Sequence, residues 1–296
     1  MERQAQQTPP YVRVVVPHYN DLVALDHCLT TLLTQTYPRD RYEIIVADNA
    51  SPQGRDAVAQ VIAGRAALVV VEEKGAGPAR NGGVAISKGE ILAFTDSDCK
   101  AEPQWLVEGV AGLSEYDFVG GRVRVLVDDP KHMTPTEAFE RVFAFDFKSY
   151  IIRKGFTGSG NLFCSRALFD KVGGFRVGVS EDVEWSHRAR SFGFTLGYAP
   201  AAIVGHPARK SWSELWRKWR RMNDEGWGLA KDRRNGRIIW LLRTLALPAS
   251  ALVHSPRVLL SPELDTLGQK LAALGILYRL RVTRAADALR VMVTAP

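Results

Sequence analysis

The stretch ILAFTDSDC (91–99) is an apolar run that stops abruptly at two carboxylates, Asp96 and Asp98, one residue apart. A short continuous apolar run closed by polar turn residues suits a strand buried on both faces, near the centre of a parallel sheet. Asp96 and Asp98 repel one another unless a cation sits near them. A divalent metal would serve, and hard Mg²⁺ or Mn²⁺ prefers oxygen ligands and a phosphate. The competing reading is a pair of carboxylates capping the next turn.

Upstream of that strand the chain alternates. Val12–Val16 is a β-branched run closed by Pro17, and Asp21 to Thr36 carries Leu22, Leu25, Leu29, Leu32 and Leu33 at helical spacing, with Asp21 as N-cap. Tyr42–Ala47 is a strand closed by Asp48-Asn49-Ala50-Ser51-Pro52; a helix over Ala57–Ala63, a strand over Leu68–Val71 and a helix over Pro78–Ser87 follow. Four strands alternating with helices imply an α/β fold, a parallel sheet with helices on both faces. Downstream the spacing predicts a strand over Phe118–Val127, one long helix from Thr136 to about Ile152, a strand over Phe156–Cys164 and a helix over Arg166–Val172. A polar helix over Glu181–Phe192, a last strand over Thr195–Val204, and helices over Ser213–Lys231, Ile238–Val253 and about Thr266–Val293 complete the pattern.

Composition narrows the class. The chain has 296 residues, 46% hydrophobic, with seven Trp, eight Tyr and twelve Phe that need burial, so it is not a disordered chain. Cys28, Cys99 and Cys164 have no CxxC spacing, which argues against a disulfide framework or a thiolate zinc site and for reduced, intracellular thiols. MERQAQQTPP lacks the apolar core of a secretory signal and reads as a disordered lead-in over 1–10. No run of 18 residues is uninterruptedly apolar. The nearest, Ile238 to Val253, is interrupted by Arg243 and Pro248, so a membrane span is not expected there.

Ligands of open α/β sheets bind beyond the C-terminal ends of the strands. The residues just past each strand are therefore the candidates: Pro17, His18, Tyr19 and Asn20, then Asp48, then Lys74 to Arg80, then Asp96, Ser97 and Asp98. Any one of these clusters could equally be a solvated turn. GAGPARNGG (75–83) is rich in glycine and carries an arginine near a helix start, which suits a diphosphate, or is a plain turn. It matches neither the dinucleotide fingerprint nor a P-loop. Glu181-Asp182 opens a helix, where a carboxylate is favoured by the dipole and could also act as a general base. His206 follows the last strand. No GxSxG nucleophile elbow exists.

In this order, the pieces VVVPHYN (14–20), IIVADNAS (44–51), GAGPARNGG (75–83), ILAFTDSDC (91–99), GSGNLFCSRALFDKVGGF (158–175), EDVEWSHRARSFGF (181–194) and His206 resemble the inverting family-2 glycosyltransferases of the GT-A fold. The resemblance implies a Rossmann-like, mostly parallel central sheet flanked by helices, with a C-terminal helical extension. It implies a catalytic domain over 11–210, divided into a nucleotide-sugar half (11–110) and an acceptor half (111–210), followed by a basic amphipathic helical region over 211–296. It implies that Pro17, Tyr19, Asn20, Asp48, Arg80 and Asp96 bind the nucleotide-sugar, that Asp98 and His206 hold Mn²⁺ or Mg²⁺, and that Asp182 is the catalytic base. Asn161, Glu181 and Trp185 would lie on the acceptor side. The donor would be a nucleotide-diphosphate sugar, with UDP favoured and GDP and dTDP open. The acceptor would belong to a glycan, polysaccharide or glycolipid. Ser180 stands where glycine is frequent. The QxxRW motif of processive synthases is absent, the nearest text being Leu215-Trp216-Arg217-Lys218-Trp219, so a single transfer per binding event is expected.

Charge is uneven. Residues 206–296 hold 17 basic and 7 acidic side chains, net +10, which leaves the remainder at −3 of the overall +7. Ser211 to Lys231 sets Arg217, Lys218, Arg220 and Arg221 among Trp212, Trp216, Trp219 and Trp227. That pattern suits an interfacial helix or a cradle for a lipid diphosphate, and equally a helix that packs its Trp and solvates its Arg. The expectation is a cytoplasmic protein held peripherally at the inner face of the cell membrane, with homodimerisation left open. Two other readings compete: a catalytically silent member of the fold serving as an assembly partner, and a basic nucleic-acid-binding protein. The second lacks any helix-turn-helix, RRM or zinc-finger signature, so no nucleic-acid partner is expected.

Overall fold

The computed structural model describes residues 8–294. Most of the expected lead-in therefore lies outside the described residues. Its last residues are tied down: the Tyr37 hydroxyl donates to Pro10 O at 2.6 Å and Arg41 Nε to Pro9 O at 2.8 Å.

The strands are β1 (Val12–His18), β2 (Tyr42–Asp48), β3 (Ala67–Val70), β4 (Ile91–Thr95), β5 (Lys100–Ala101), β6 (Phe118–Leu126), β7 (Asn161–Ser165) and β8 (Leu196–Pro207). The helices are α1 (Leu22–Leu33), α2 (Gly54–Ile62), α3 (Ala76–Ala85), α4 (Trp105–Gly112), α5 (Pro135–Phe143), α6 (Phe147–Ser149), α7 (Arg166–Val172), α8 (Glu181–Ser191), α9 (Trp212–Ala230), α10 (Gly236–Leu259) and α11 (Leu267–Thr294). The strands form one sheet in the order β3-β2-β1-β4-β7-β6-β8-β5. The four strands of the alternating half are mutually parallel, with Val15 beside both Ile45 and Phe94. β7 runs antiparallel to β4 and to β6. The architecture is thus α/β, built on the parallel half that the alternation implied.

The register fixes where the chemistry sits. His18 pairs with Asp48, Asp48 with Val70, and Thr95 with Asn161. The segments after β1, β2, β3 and β4 and the one before β7 therefore leave the sheet at one edge. Asp21 caps α1 as expected, its Oδ1 accepting from Ala24 N at 3.0 Å.

Two compact units divide the chain. Among the described residues, the first contains those up to Arg124, Phe147–Val177 and Glu181–His206; the second contains Val125–Asp146, Gly178–Ser180 and those from Pro207 on. The core of the first is aromatic: Phe94, Phe118, Phe169, Phe175 and Trp185 are all buried, and Phe118 meets Trp185 edge-on at 5.5 Å. Each such ring stabilises by about 2–3 kcal/mol on burial. The second unit packs α5 with α9, α10 and α11 around Phe139, Val142, Leu215, Val258, Ile276 and Leu277.

Several expectations are corrected. The long helix over 136–152 is broken: Ala144 leaves helical geometry and Phe145 takes φ +57°, so α5 ends at Phe143 and α6 with a π-helical turn (Tyr150–Lys154) follows. The strand placed over Phe156–Cys164 begins only at Asn161. Pro248 does not interrupt its helix; α10 runs through both Pro248 and Pro256. Side chains beside each proline bond to neighbouring carbonyls, as when Ser250 Oγ donates to Leu247 O and Ser255 Oγ to Ala251 O. As a result α10 is long and apolar enough to cross a membrane by length and composition.

Candidate active site

At the end of β1, His18 is buried and its Nδ1 donates to Asp48 Oδ1 at 2.8 Å, while its Nε2 accepts from Asp21 N at 3.3 Å. Those two partners set the Nδ1-protonated tautomer. Asp48, itself 1% exposed, also accepts from Ser51 Oγ at 2.5 Å and, through Oδ2, from Ser51 N at 3.0 Å. The ends of β1 and β2 are therefore locked by a buried hydrogen-bond network. Pro17 lies inside this edge, whereas Tyr19 and Asn20 are exposed and Asn20 takes φ +58°. Asp48 retains one acceptor direction, at Oδ2. Asn49 ties the β2 turn to the segment after β3: its Nδ2 donates to Val71 O and Glu73 O, and its Oδ1 accepts from Gly75 N at 2.8 Å. Gly75 opens α3 at φ +131°, a backbone that needs glycine.

Arg80, on α3, is 3% exposed. Its Nη2 lies 2.5 Å from Asp96 Oδ1 and its Nη1 2.6 Å from Glu181 Oε1. Burial opposes the charge, but Asp96, Glu181 and Asp182 more than offset it, so the guanidinium is held protonated above its ordinary pKa. Asp96 is further confined by Gly160: a Cβ there would lie 2.6 Å from Asp96 Oδ2. Gly77 plays the same part for Glu181, whose Oε2 would meet a Cβ at 3.3 Å.

Asp98 faces His206, with Nε2 3.2 Å from Oδ2. The two-residue strand β5 sets this up, because Lys100 pairs with Gly205 on β8 and so carries His206 alongside the Asp96–Cys99 turn. Ligand atoms of Asp96, Asp98 and Cys99 all lie within 4.8 Å of one another. Burial, together with the Asp96 and Asp98 charges, pushes the Cys99 thiol well up. The two carboxylates, with the His206 imidazole beside Asp98, offer donors that fit a hard divalent cation.

Glu181 and Asp182 open α8, where the helix N-terminus favours negative charge, and Asp182 Oδ1 accepts from Val183 N at 2.8 Å. Arg80, Asp96, Glu181 and Asp182 thus form one electrostatic cluster, and Asp98 with His206 adjoins it through Asp96.

Other expected site residues are placed differently. Asn161 is fully buried and spent on the scaffold: Oδ1 accepts from Trp105 Nε1 at 2.9 Å, and Nδ2 donates to Arg122 O and Ala202 O. Trp185 is fully buried in the aromatic core and donates Nε1–H to Gly173 O. Neither can face an acceptor. Arg80, with both Nη atoms on carboxylates, positions Asp96 rather than offering a free guanidinium to a diphosphate. Residues that pattern reading passed over include Ser51, Asn49, and Asn81, which holds the Phe175 backbone through both amide atoms at 2.8 Å. The only advance signal for Asn81 was its place in the glycine-rich segment.

The glycosyl transferase family 2 model matches residues 13–178. The chain belongs to that family. Glycosyltransferase AglE of Haloferax volcanii is 34% identical over 210 residues, covering 68% of each chain. Probable glycosyltransferase YdaM of Bacillus subtilis is 28% identical over 240 residues, 75% of this chain and 57% of that protein. Among solved structures, the mannosyltransferase PcManGT of Pyrobaculum calidifontis, in complex with GDP-Man and Mn²⁺, superposes with a TM-score of 0.62 at 21% identity, covering 97% of this glycosyltransferase and 88% of that chain. The fold of this glycosyltransferase is therefore GT-A.

Proposed function

We propose that this glycosyltransferase moves one sugar per binding event from a nucleotide-diphosphate sugar to an acceptor hydroxyl, with inversion at the anomeric carbon. The observation that carries this reading is that Arg80 joins Asp96 to Glu181 and interacts with Asp182, while Asp98, beside Asp96, faces His206. Tyr19, Asn20 and Asp48 would receive the nucleoside, with UDP the favoured base. GDP is the competitor, since the Pyrobaculum enzyme binds GDP-Man.

Asp98 and His206, with Asp96 beside them, would hold Mn²⁺ or Mg²⁺, which would supply positive charge to the departing diphosphate. Asp182 takes the proton of the acceptor hydroxyl. The hydroxyl oxygen then forms the new bond to the anomeric carbon, while the bond from that carbon to the diphosphate oxygen breaks and its electron pair leaves with the nucleoside diphosphate. Attack opposite the leaving group inverts the configuration. Glu181 and Arg80 keep Asp96 and the start of α8 in register.

The acceptor is read as a glycan, polysaccharide or glycolipid intermediate, and the site of work as the cytoplasmic face of a membrane. Three buried, unpaired thiols support a reducing compartment.

Replacing Asp182 by Asn tests the base. Transfer should fall about 10²–10⁴-fold with nucleotide binding retained, and NMR of the wild-type product should show the inverted anomer. Unchanged transfer by Asp182→Asn, or a retained anomer, would overturn the assignment.

A further inference from the structure

The outward face of α10 is apolar along its length. Gly236, Thr244, Ala251 and Val258 are buried on one side, and Trp240 Nε1 on that side donates to Ala288 O of α11. On the opposite side, Ile238, Leu242, Leu245, Leu252 and Val253 are 61–76% exposed. At 100° per residue these five fall within one stripe of about 100°, opposite the buried face. An ordinary surface helix places polar residues there. A stripe this long on a folded helix marks a contact with something apolar.

Charge says what that is. α10 and the turn before it carry Arg233, Arg234, Arg237, Arg243, His254 and Arg257, and Asp232 is the only acidic residue over 232–260. Among the described residues, Arg233, Arg234, Arg237 and Arg243 have no carboxylate partner. Elsewhere in the same unit several cations are paired, Arg209 and Lys218 with Glu140 and Arg290 with Asp287, and at the far end of α10 Arg257 reaches Asp146. On the helix, Arg237 lies on one side of the apolar stripe and Arg257 on the other, with Arg243 further round beside the buried face. An apolar stripe that lacks acids, on a helix whose first half and preceding turn carry four arginines without a carboxylate partner, complements the headgroup and acyl layers of an anionic bilayer. A second copy of the chain would bring the same unpaired arginines against one another. A transmembrane placement would carry Arg243, in the first half of α10, into the hydrocarbon and strip the opposite face from α11.

We propose that α10 lies flat in the surface of an anionic lipid bilayer, with Ile238, Leu242, Leu245, Leu252 and Val253 inserted and Arg237 and Arg243 on phosphate. This rests on the reading that the enzyme works at a membrane face, and it names the surface that holds it there.

The test is flotation of the full chain with vesicles of phosphatidylcholine alone and with an equimolar mixture of phosphatidylcholine and phosphatidylglycerol. Wild type should bind the mixed vesicles, lose binding as salt rises, and ignore the neutral ones. The double variant Leu242→Glu/Leu252→Glu should lose about tenfold or more in binding with an unchanged melting temperature, because both side chains are exposed. Arg237→Gln/Arg243→Gln should weaken binding to mixed vesicles and flatten the salt dependence. Mixed-vesicle binding that the Glu double variant leaves intact would overturn the α10 assignment while keeping the membrane reading. No vesicle binding by wild type would overturn both. A wild-type dimer that the Glu variant dissociates, with no vesicle binding by either, would assign the face to a second copy instead.

Discussion

Arg80 Nη2 lies 2.5 Å from Asp96 Oδ1, while the other arm of the same guanidinium holds Glu181. One buried cation thus links the turn after β4 to the first residue of α8, the helix that carries Asp182. The position of the proposed base relative to the Asp96–Cys99 turn is set by this link.

Replacing Arg80 by Met should leave two carboxylates facing an apolar side chain. The expected loss of stability is about 2 kcal/mol, less than for a fully buried pair because Asp96 and Glu181 side chains keep 35% and 24% exposure. Denaturant unfolding measures this. Transfer should fall with it, and Arg80→Lys should recover only part, because one ammonium cannot form the two-armed contact.

Gly160→Ala places a methyl group 2.6 Å from Asp96 Oδ2. The carboxylate must move, so transfer should drop about tenfold or more while the protein remains folded. A kinetic assay alongside circular dichroism checks this. Full activity would show that the Asp96 position is not critical.

Asn161→Ala should be a stability variant rather than an acceptor variant. It strands the Trp105 indole N–H and two carbonyls in the core, a cost of about 3 kcal/mol. The expected result is a lower melting temperature with an unchanged KM for acceptor in the folded fraction.

How much of this was legible differs by feature. β4 and its carboxylates announced themselves, because a fully buried strand is a continuous apolar run and its polar stop marks the ligand edge. β5 was invisible, since two residues carry no periodicity, yet it brings His206 to Asp98. Phe145 has no sequence mark for its positive φ, so the broken helix read as one. Asn161 and Trp185 lie within motif text that implied acceptor contact, but one-dimensional text does not reveal burial. Arg80 was expected to bind the nucleotide-sugar, but its partners Asp96 and Glu181 come from 16 and 101 residues away, and only the folded chain shows them.

In the second unit, Glu140 is 1% exposed against Arg209 and Lys218. Burial and the neighbouring Arg209 outweigh the pull of Glu140 on Lys218, bringing its pKa down to about 8. The folded protein thus binds the Lys218 proton less tightly than the unfolded chain does. Stability from this group should rise with pH between about 8 and the usual lysine value of 10.5. Glu140 behaves in the opposite range: although burial works against its charge, Lys218 and Arg209 hold it below 4.5. Its contribution is present above pH 4.5 and is lost as pH falls through the depressed value. Unfolding of wild type and Lys218→Met across the alkaline range checks the first, and Glu140→Gln across the acidic range the second.

Calorimetric titration decides whether a metal-assisted donor site lies at the strand edge. UDP, GDP, dTDP and CDP would each be titrated with and without Mn²⁺ into wild type and Asp98→Ala. One nucleotide, with UDP favoured, should bind wild type only when Mn²⁺ is present and should not bind Asp98→Ala. Equal binding without metal, equal binding by Asp98→Ala, or no binding of any nucleotide would contradict it.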